Sequence, residues 1–134
     1  RRVLFRSPFV ANGDITSPEQ AKKVLAITGA DAVMVGRAAQ GRPWLPAQID
    51  RYLLDGTYPP DPELSEIVSV LSRHLKALHQ LYGEYQGTRI ARKHMGWTLD
   101  WLGLREVKQE FNRCQNAADQ FSVLHLILDE QTAA

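Results

Sequence analysis

A proline-rich segment near the middle of the chain constrains the fold more than any other feature. Residues 56–62 are Gly-Thr-Tyr-Pro-Pro-Asp-Pro, with three prolines within four positions. Proline lacks a backbone N–H and clashes with the preceding helical turn, so this segment cannot continue a helix and favours an extended, fairly stiff connector. The hydrophobic pattern also differs on its two sides. We therefore predict a linker at 56–62 between two domains, residues 8–55 and 63–134.

Residues 8–55 show a pattern of alternating strands and helices. The short apolar run Pro8–Ala11 predicts a buried strand, and the continuous run Ala32–Val35 predicts a strand buried on both faces, as in a parallel sheet. Between them, Ser17 followed by proline and glutamate is typical of a helix start, and Gly29 of a helix stop. A second helix is expected before the linker. This order predicts an α/β structure in which the two strands are parallel neighbours.

Residues 63–134 show helical periodicity throughout. Apolar residues three and four positions apart predict amphipathic helices at Leu64–Tyr82, Thr88–Leu102 and Leu104–Cys114, and Asn116 is expected to cap a fourth helix. No strand is expected here. Four short helices joined by short loops predict a small helical bundle, so the chain as a whole combines an α/β part with an all-α part.

The length and composition exclude several classes of protein. A complete (β/α)₈ barrel needs roughly 250 residues, whereas this chain has 134. No apolar run approaches the ~20 residues that a membrane span needs. The single cysteine, Cys114, cannot form an internal disulfide or a thiolate metal site alone, so we expect a reducing, cytoplasmic setting and a buried Cys114. His74 and His79 do not share a helix face, and no metal site is predicted.

Two loops that follow the predicted strands are candidate anion sites. Asn12, Gly13 and Asp14 come directly after the first strand, and Gly36 and Arg37 come directly after the second. Glycine lets the backbone approach a ligand closely, and a guanidinium can bind a phosphate through two N–H groups. Because parallel strands end at the same edge of a sheet, these residues are expected to converge on one point. Phosphate binding and plain turn chemistry are the two interpretations of these residues.

Basic residues are concentrated in residues 73–97. This window has five Lys or Arg residues and one acidic residue, Glu84, for a net charge of +4, whereas the whole chain carries +1. Such a concentration indicates binding of phosphate or RNA, and a solvated helix face is the alternative interpretation. Helical spacing assigns Arg89, Arg92, Lys93 and Gly96 to one exposed side and Ile90, His94, Trp97 and Trp101 to a side packed on the preceding helix.

Two blocks of residues resemble a known enzyme family. The segments Val10–Ile15 and Gly29–Trp44 are similar to the end of the flavin-binding barrel of bacterial tRNA-dihydrouridine synthases, with the B-type branch as the nearest match. The segment Arg89–His94, followed by Trp97, is similar to the helical domain that this family uses against tRNA. The resemblance extends from about Pro8 nearly to the C-terminus.

The resemblance implies a fold, a cofactor and a reaction. The chain would be a C-terminal fragment containing the end of a flavin-binding (β/α)₈ TIM barrel (residues 8–55) and a helical tRNA-binding domain (residues 63–134). The five strand-end residues would bind the phosphate end of FMN, namely Asn12, Gly13, Asp14, Gly36 and Arg37. Arg42 and Trp44 are not assigned to the cofactor. RNA binding would fall to Arg89, Arg92 and Lys93. The implied reaction is the reduction of the C5–C6 double bond of uridine in tRNA to 5,6-dihydrouridine, with NADPH as reductant.

The chain also departs from the family pattern. Residues 1–7 do not resemble the family's lead-in to this strand and are interpreted as a non-native tail. The family's proton-donor cysteine would lie in a part that precedes this chain, and Cys114 does not occupy that position, so no catalytic residue is assigned and the isolated chain is predicted to be inactive. Two alternatives are an RNA-binding helical module without catalysis of its own, and another FMN-dependent barrel oxidoreductase acting on a small molecule.

Overall fold

The chain forms two compact units that divide between Asp61 and Pro62. A computed structural model describes the backbone of residues 7–132 and the side chains of residues 7–128. The interpretation of residues 1–7 as a non-native tail therefore falls almost entirely outside the described residues. The segment at 57–62 contains neither helix nor strand, as its three prolines require.

The first unit is built on two short parallel strands. Strand β1 (Val10–Asn12) pairs with β2 (Ala32–Met34), with Ala11 opposite Val33. This confirms the predicted parallel neighbours. Asp31 joins the two chain segments that directly precede β1 and β2. Its backbone N–H donates to the Phe9 carbonyl (2.8 Å), and its carboxylate accepts the Phe9 N–H (2.9 Å). No local sequence pattern indicates this role of Asp31, because its partner Phe9 lies 22 residues away.

Helices α1 (Pro18–Thr28) and α2 (Leu45–Asp55) complete the first unit. The predicted caps of α1 are confirmed: the Ser17 hydroxyl accepts the Gln20 N–H, and Gly29 ends the helix in the left-handed conformation with φ +66°. The side-chain oxygen of Gln20 in turn accepts the Thr16 N–H at 2.9 Å, so the side chains of Ser17 and Gln20 each satisfy a backbone donor at the start of α1. The core of the unit consists of Ile15, Ala21, Leu45 and Ile49.

The prediction that β2 is buried on both faces is wrong for the described residues. Val33 and Val35 pack partly against the core, whereas Ala32 and Met34 are exposed. Side chains alternate along a strand, so residues 33 and 35 face the helices and residues 32 and 34 face the opposite side of the sheet. The helices of this unit cover one face only.

The second unit is helical throughout its described residues. Helix α3 (Leu64–Trp101) is interrupted at Gly83, where φ is +73° and ψ is 173°; we call residues 64–82 its first arm and residues 84–101 its second arm. Helices α4 (Arg105–Arg113) and α5 (Ala117–Thr132) follow and pack against α3. The predicted order of four helical segments is confirmed, although the second begins earlier than the expected Thr88.

The two arms of α3 fold back on each other. The imidazole rings of His74 and His94 lie 5.2 Å apart, and His79 lies directly against Gly87. A buried side chain on α5, Gln120, joins the arms. Its Oε1 accepts the His79 Nε2–H (3.0 Å), and its Nε2 donates to the Thr88 carbonyl (3.0 Å). The break at Gly83 therefore produces a helical hairpin closed by α5.

The predicted buried face of the second arm is wrong. The arm buries Thr88, Ala91, Met95 and Leu99, whereas Ile90, His94 and Trp97 are half-buried and Trp101 is 38% exposed. Gly96, predicted to be exposed, is buried beneath the side chain of Lys108. The reason is that this arm packs against α4 and α5 as well as against the first arm. Helical periodicity does not show where those later helices dock.

Candidate functional site

The five predicted strand-end residues lie around one cavity. β1 and β2 are parallel, so the loops that follow them leave the sheet at the same edge. The cavity measures about 410 Å³ and is lined by residues 12–16, 34 and 36–38, which include Asn12, Gly13, Asp14, Gly36 and Arg37. A cavity of this size falls within the range of small-molecule sites, roughly 300–1,000 Å³.

The loop after β1 depends on unusual backbone conformations. Gly13 has φ +143° and Asp14 has φ +44°, so two successive residues lie at positive φ. Glycine is required at the first of these positions because an L side chain is strained there, although no atom within 4 Å would contact its Cβ. Aspartate is among the few residues that enter the left-handed region readily. This pair of conformations turns the Asp14 carboxylate toward the loop after β2.

Asp14 and Arg37 form an ion pair across the cavity mouth. The Arg37 Nη2 donates to Asp14 Oδ1 at 2.5 Å, and the two side chains are 82% and 77% exposed. Exposed pairs of this kind contribute about 0–1 kcal/mol, so the pair orients the guanidinium more than it stabilises the fold. A guanidinium carries five N–H donors, of which this bond uses one. The site can therefore bind an anion through Arg37 while Asp14 holds the side chain in place.

The backbone after Gly36 makes a small turn rather than a long helix. Residues Arg37–Ala39 form one turn of 3₁₀ helix, and α2 begins only at Leu45. The Ala39 N–H bonds to the Gly36 carbonyl at 3.0 Å. Since α2 does not line the cavity, the positive charge at the site comes from Arg37. The open loop, the cavity volume and the exposed guanidinium together fit the phosphate end of a cofactor.

Arg42 and Trp44, which were not assigned to the cofactor, contact the proline-rich linker. The indole N–H of Trp44 donates to the Asp61 carboxylate at 3.2 Å, and Arg42 lies 3.8 Å from the same group. Gln48, which is buried, donates to the carbonyls of Pro59 and Pro60 and to Asp61. These contacts bind the proline-rich segment to α2. No local pattern indicates this role of Gln48, because its partners lie eleven to thirteen residues away.

The three predicted RNA-binding residues do not behave alike. Arg89 and Lys93 are exposed on the second arm of α3. Arg92 is half-buried and its Nη2 donates to the Cys114 carbonyl at 3.0 Å, at the C-terminal end of α4. A cation at this position satisfies a helix carbonyl and interacts favourably with the helix dipole. Arg89 and Lys93 are thus the two solvent-exposed cations of the three, whereas Arg92 also holds α4 in place.

Cys114 is buried, as expected. Burial, together with the nearby carboxylates of Asp119 and Glu110, raises the pKa of the thiol. A buried thiol with a raised pKa is a poor proton donor and a poor nucleophile at neutral pH. Among the described residues, no three His, Cys, Asp or Glu side chains are grouped as metal ligands. Nor is any helix within residues 7–132 both long enough and apolar enough to cross a membrane.

The chain belongs to the dihydrouridine synthase family. The family model "Dihydrouridine synthase (Dus)" matches residues 2–132. Among curated relatives, the chain is 49% identical over 123 residues to tRNA-dihydrouridine synthase B of Shewanella oneidensis, covering 92% of this chain and 38% of the relative. It is 54% identical over 114 residues to the protein of the same name from Pseudomonas aeruginosa, covering 84% of this chain and 34% of that relative. The Vibrio vulnificus protein of that name is also 54% identical, over 112 residues.

These comparisons confirm the family resemblance found in the sequence. The chain spans 34–38% of the length of these relatives. The match to the family model begins at residue 2, so it includes most of residues 1–7, the segment interpreted from the sequence as a non-native tail.

Proposed function

We propose that this chain provides two binding elements of a tRNA-dihydrouridine synthase: the phosphate-binding end of its FMN site and a helical unit that binds tRNA. The reaction would be the reduction of the C5–C6 double bond of uridine in tRNA to 5,6-dihydrouridine, with NADPH as reductant, in the cytoplasm. The observation that carries the proposal is that both strand-end motifs, which are 22 residues or more apart in sequence, line one cavity in a member of this family.

In the first unit, the proposed role of the chain is to hold the cofactor phosphate. Arg37 would donate N–H groups to the phosphate oxygens, and the Asp14 carboxylate would keep the guanidinium oriented. Gly13 and Gly36 would keep the loop backbone free of side chains where the cofactor enters, and Asn12 would contribute its amide at the end of β1. The flavin, when bound, supplies hydride for the base, so these residues position a group whose chemistry is its own. The two strands are proposed to be the end of a (β/α)₈ barrel, because such barrels bind phosphates in the loops after their last strands.

In the second unit, the proposed role is to bind tRNA through its phosphates. Arg89 and Lys93 present exposed cations on one helix arm, and Arg92 adds charge close to the end of α4. Phosphate contacts position an RNA without reading its bases, which suits an enzyme whose substrates share one overall shape. The same contacts would keep the tRNA in place while a uridine leaves its stack to reach the cofactor.

The isolated chain is proposed not to reduce uridine. Its one cysteine, Cys114, is buried in the helical unit, where it bonds to the Glu110 carbonyl, and is not assigned as the proton donor. The described residues bind one end of a flavin only. Transition-state stabilisation requires groups arranged around the reacting bond, which these residues do not provide.

A chimera tests the proposal. Residues 8–132 would replace the matching third of the Pseudomonas aeruginosa relative, and dihydrouridine in tRNA would be measured with FMN and NADPH for the chimera and for the chain alone. We expect dihydrouridine from the chimera and none from the chain alone. A chimera that binds tRNA but forms no dihydrouridine would favour the binding-only alternative. Dihydrouridine formed by the chain alone would contradict the proposed division of roles.

A further inference from the structure

The second arm of α3 carries a stripe in which two cationic residues are flanked by two aromatic residues. Its members are spaced four residues apart, so each is the neighbour of the next on the following helical turn: Tyr85, Arg89, Lys93 and Trp97. The first three are exposed and Trp97 is half-buried. We call these four residues the Tyr85–Trp97 stripe.

Each cation of the stripe is held against an aromatic ring. The Arg89 guanidinium lies 5.6 Å from the centre of the Tyr85 ring, and its Nη1 donates to the Tyr85 hydroxyl at 3.0 Å. The Lys93 ammonium lies 5.3 Å from the centre of the Trp97 ring. Both positive charges are therefore ordered before any ligand binds, which reduces the entropy lost on binding.

Tyr85 is unusually exposed for a large aromatic residue held by a neighbour. It remains 72% exposed, beside the break at Gly83, and Leu81 on the other side of the break is 74% exposed. A side chain this exposed contributes little to folding. Proteins that bind single-stranded nucleic acid combine cations along the backbone with aromatic rings on which bases stack. The stripe has both components at adjacent positions.

The geometry points to a specific ligand, an RNA strand with an unpaired base. We propose that Tyr85 stacks on an unpaired base of RNA while Arg89 and Lys93 bind phosphates of the same strand. A paired RNA helix offers phosphates to the two cations, but its bases are stacked on one another and closed to Tyr85. This inference rests on the proposed binding of tRNA by the second unit. It adds a stacking residue, Tyr85, to the three cations proposed to bind phosphates.

The test compares two RNAs and three variants of the full chain. Fluorescence anisotropy measures binding of the 134-residue chain to a tRNA transcript and to a blunt, fully base-paired RNA duplex at fixed salt. Tyr85→Leu removes the aromatic face, and Tyr85→Phe keeps the ring but removes the hydroxyl that bonds to Arg89. Tyr58→Leu is the matched control, because Tyr58 is an exposed tyrosine in the first unit. Circular dichroism verifies that each variant is folded.

Stacking predicts a distinctive set of results. We expect Tyr85→Leu to weaken tRNA binding by roughly 5- to 150-fold, the range for one base–aromatic stack. Tyr85→Phe and Tyr58→Leu should stay within about threefold of wild type on tRNA, and duplex binding should stay within about threefold in all three variants, because Tyr85 contributes there only by orienting Arg89. Wild-type affinity in Tyr85→Leu would overturn the stacking role and leave the proposed tRNA binding intact. An equal loss in Tyr85→Phe, or an equal loss on the duplex, would also overturn it. A wild-type chain that binds no tRNA would overturn both proposals.

Discussion

Gly87 provides a sharp test of the packing between the two arms of α3. A Cβ built on this residue would lie 2.7 Å from His79 Nδ1, 3.2 Å from His79 Cγ and 3.1 Å from the His79 Cα. The last of these atoms is backbone and cannot turn away as a side chain can. We therefore expect Gly87→Ala to force the arms apart or to displace the His79 ring from Gln120.

The magnitude follows from three contributions. Replacing a glycine inside a helix by alanine favours the helix by about 0.5–1 kcal/mol. Overpacking a closed interface costs roughly 1–3 kcal/mol, and leaving the buried Gln120 without its imidazole partner costs about 1–3 kcal/mol more. We expect a net loss of about 1–5.5 kcal/mol. For a unit of this size each 1 kcal/mol corresponds to a change in Tm of about 4–8 °C.

Gly96→Ala is the matched control. It lies in the same arm and is also buried, but its Cβ would approach only the end of the Lys108 side chain, with Cε at 3.2 Å and Nζ at 3.8 Å. Because Lys108 can shift, we expect Gly96→Ala to be neutral or to raise Tm by a few degrees, as helix propensity alone predicts. Thermal unfolding followed by circular dichroism compares the two. A Gly87→Ala chain as stable as Gly96→Ala would refute the described contact between the arms.

Three further predictions concern charge. Replacing Arg89 and Lys93 together by alanine should reduce the slope of log K against log salt for tRNA binding by about 0.7–0.9 per lost phosphate contact, without changing Tm. An unchanged salt slope would identify these two residues as part of a solvated helix face. Arg92→Ala should instead lower Tm, because it leaves the Cys114 carbonyl unpaired. Burial and the charge of His94 lower the pKa of His74 in the folded chain. As the pH falls, the unfolded chain therefore binds a proton at His74 at a higher pH than the folded chain does. Stability should therefore decline as the pH falls below about 6.5, and His74→Asn should reduce that decline; identical pH profiles would contradict it.

The sequence predicted those elements that depend on local chemistry. Ser17 and Gly29 bound α1 because a hydroxyl cap and a left-handed glycine act on their own neighbours. The helix predicted at Leu64–Tyr82 ends where Gly83 interrupts α3. The candidate site was predictable for a similar reason: the loops that contain Gly13 and Arg37 follow strand ends, and parallel pairing alone brings those ends together.

The features that were missed depend on neighbours distant in sequence. Met34 is exposed because the helices of its unit cover only the other face of β2. Gly96 is buried because α4 places Lys108 over it, and Arg92 turns inward because α4 ends beside it with an open carbonyl at Cys114. The ion pair between Asp14 and Arg37 likewise spans 23 residues. Neither periodicity nor composition contains this information.

The central claim, that the cavity at the strand ends binds the phosphate of FMN through Arg37, is tested most directly by flavin occupancy. In the chimera described above, FMN released per polypeptide would be measured for wild type, Arg37→Ala, Arg37→Lys and Arg51→Ala. Arg51 is the matched control, because it is also an exposed arginine paired with an aspartate, Asp55, in the same unit. We expect Arg37→Ala to weaken FMN binding by about 1.5–3 kcal/mol and Arg37→Lys to recover only part of this, since an ammonium cannot reproduce the two-point contact. Arg51→Ala should retain full occupancy. An Arg37→Ala chimera that purifies with wild-type flavin content would contradict the assignment of the cavity.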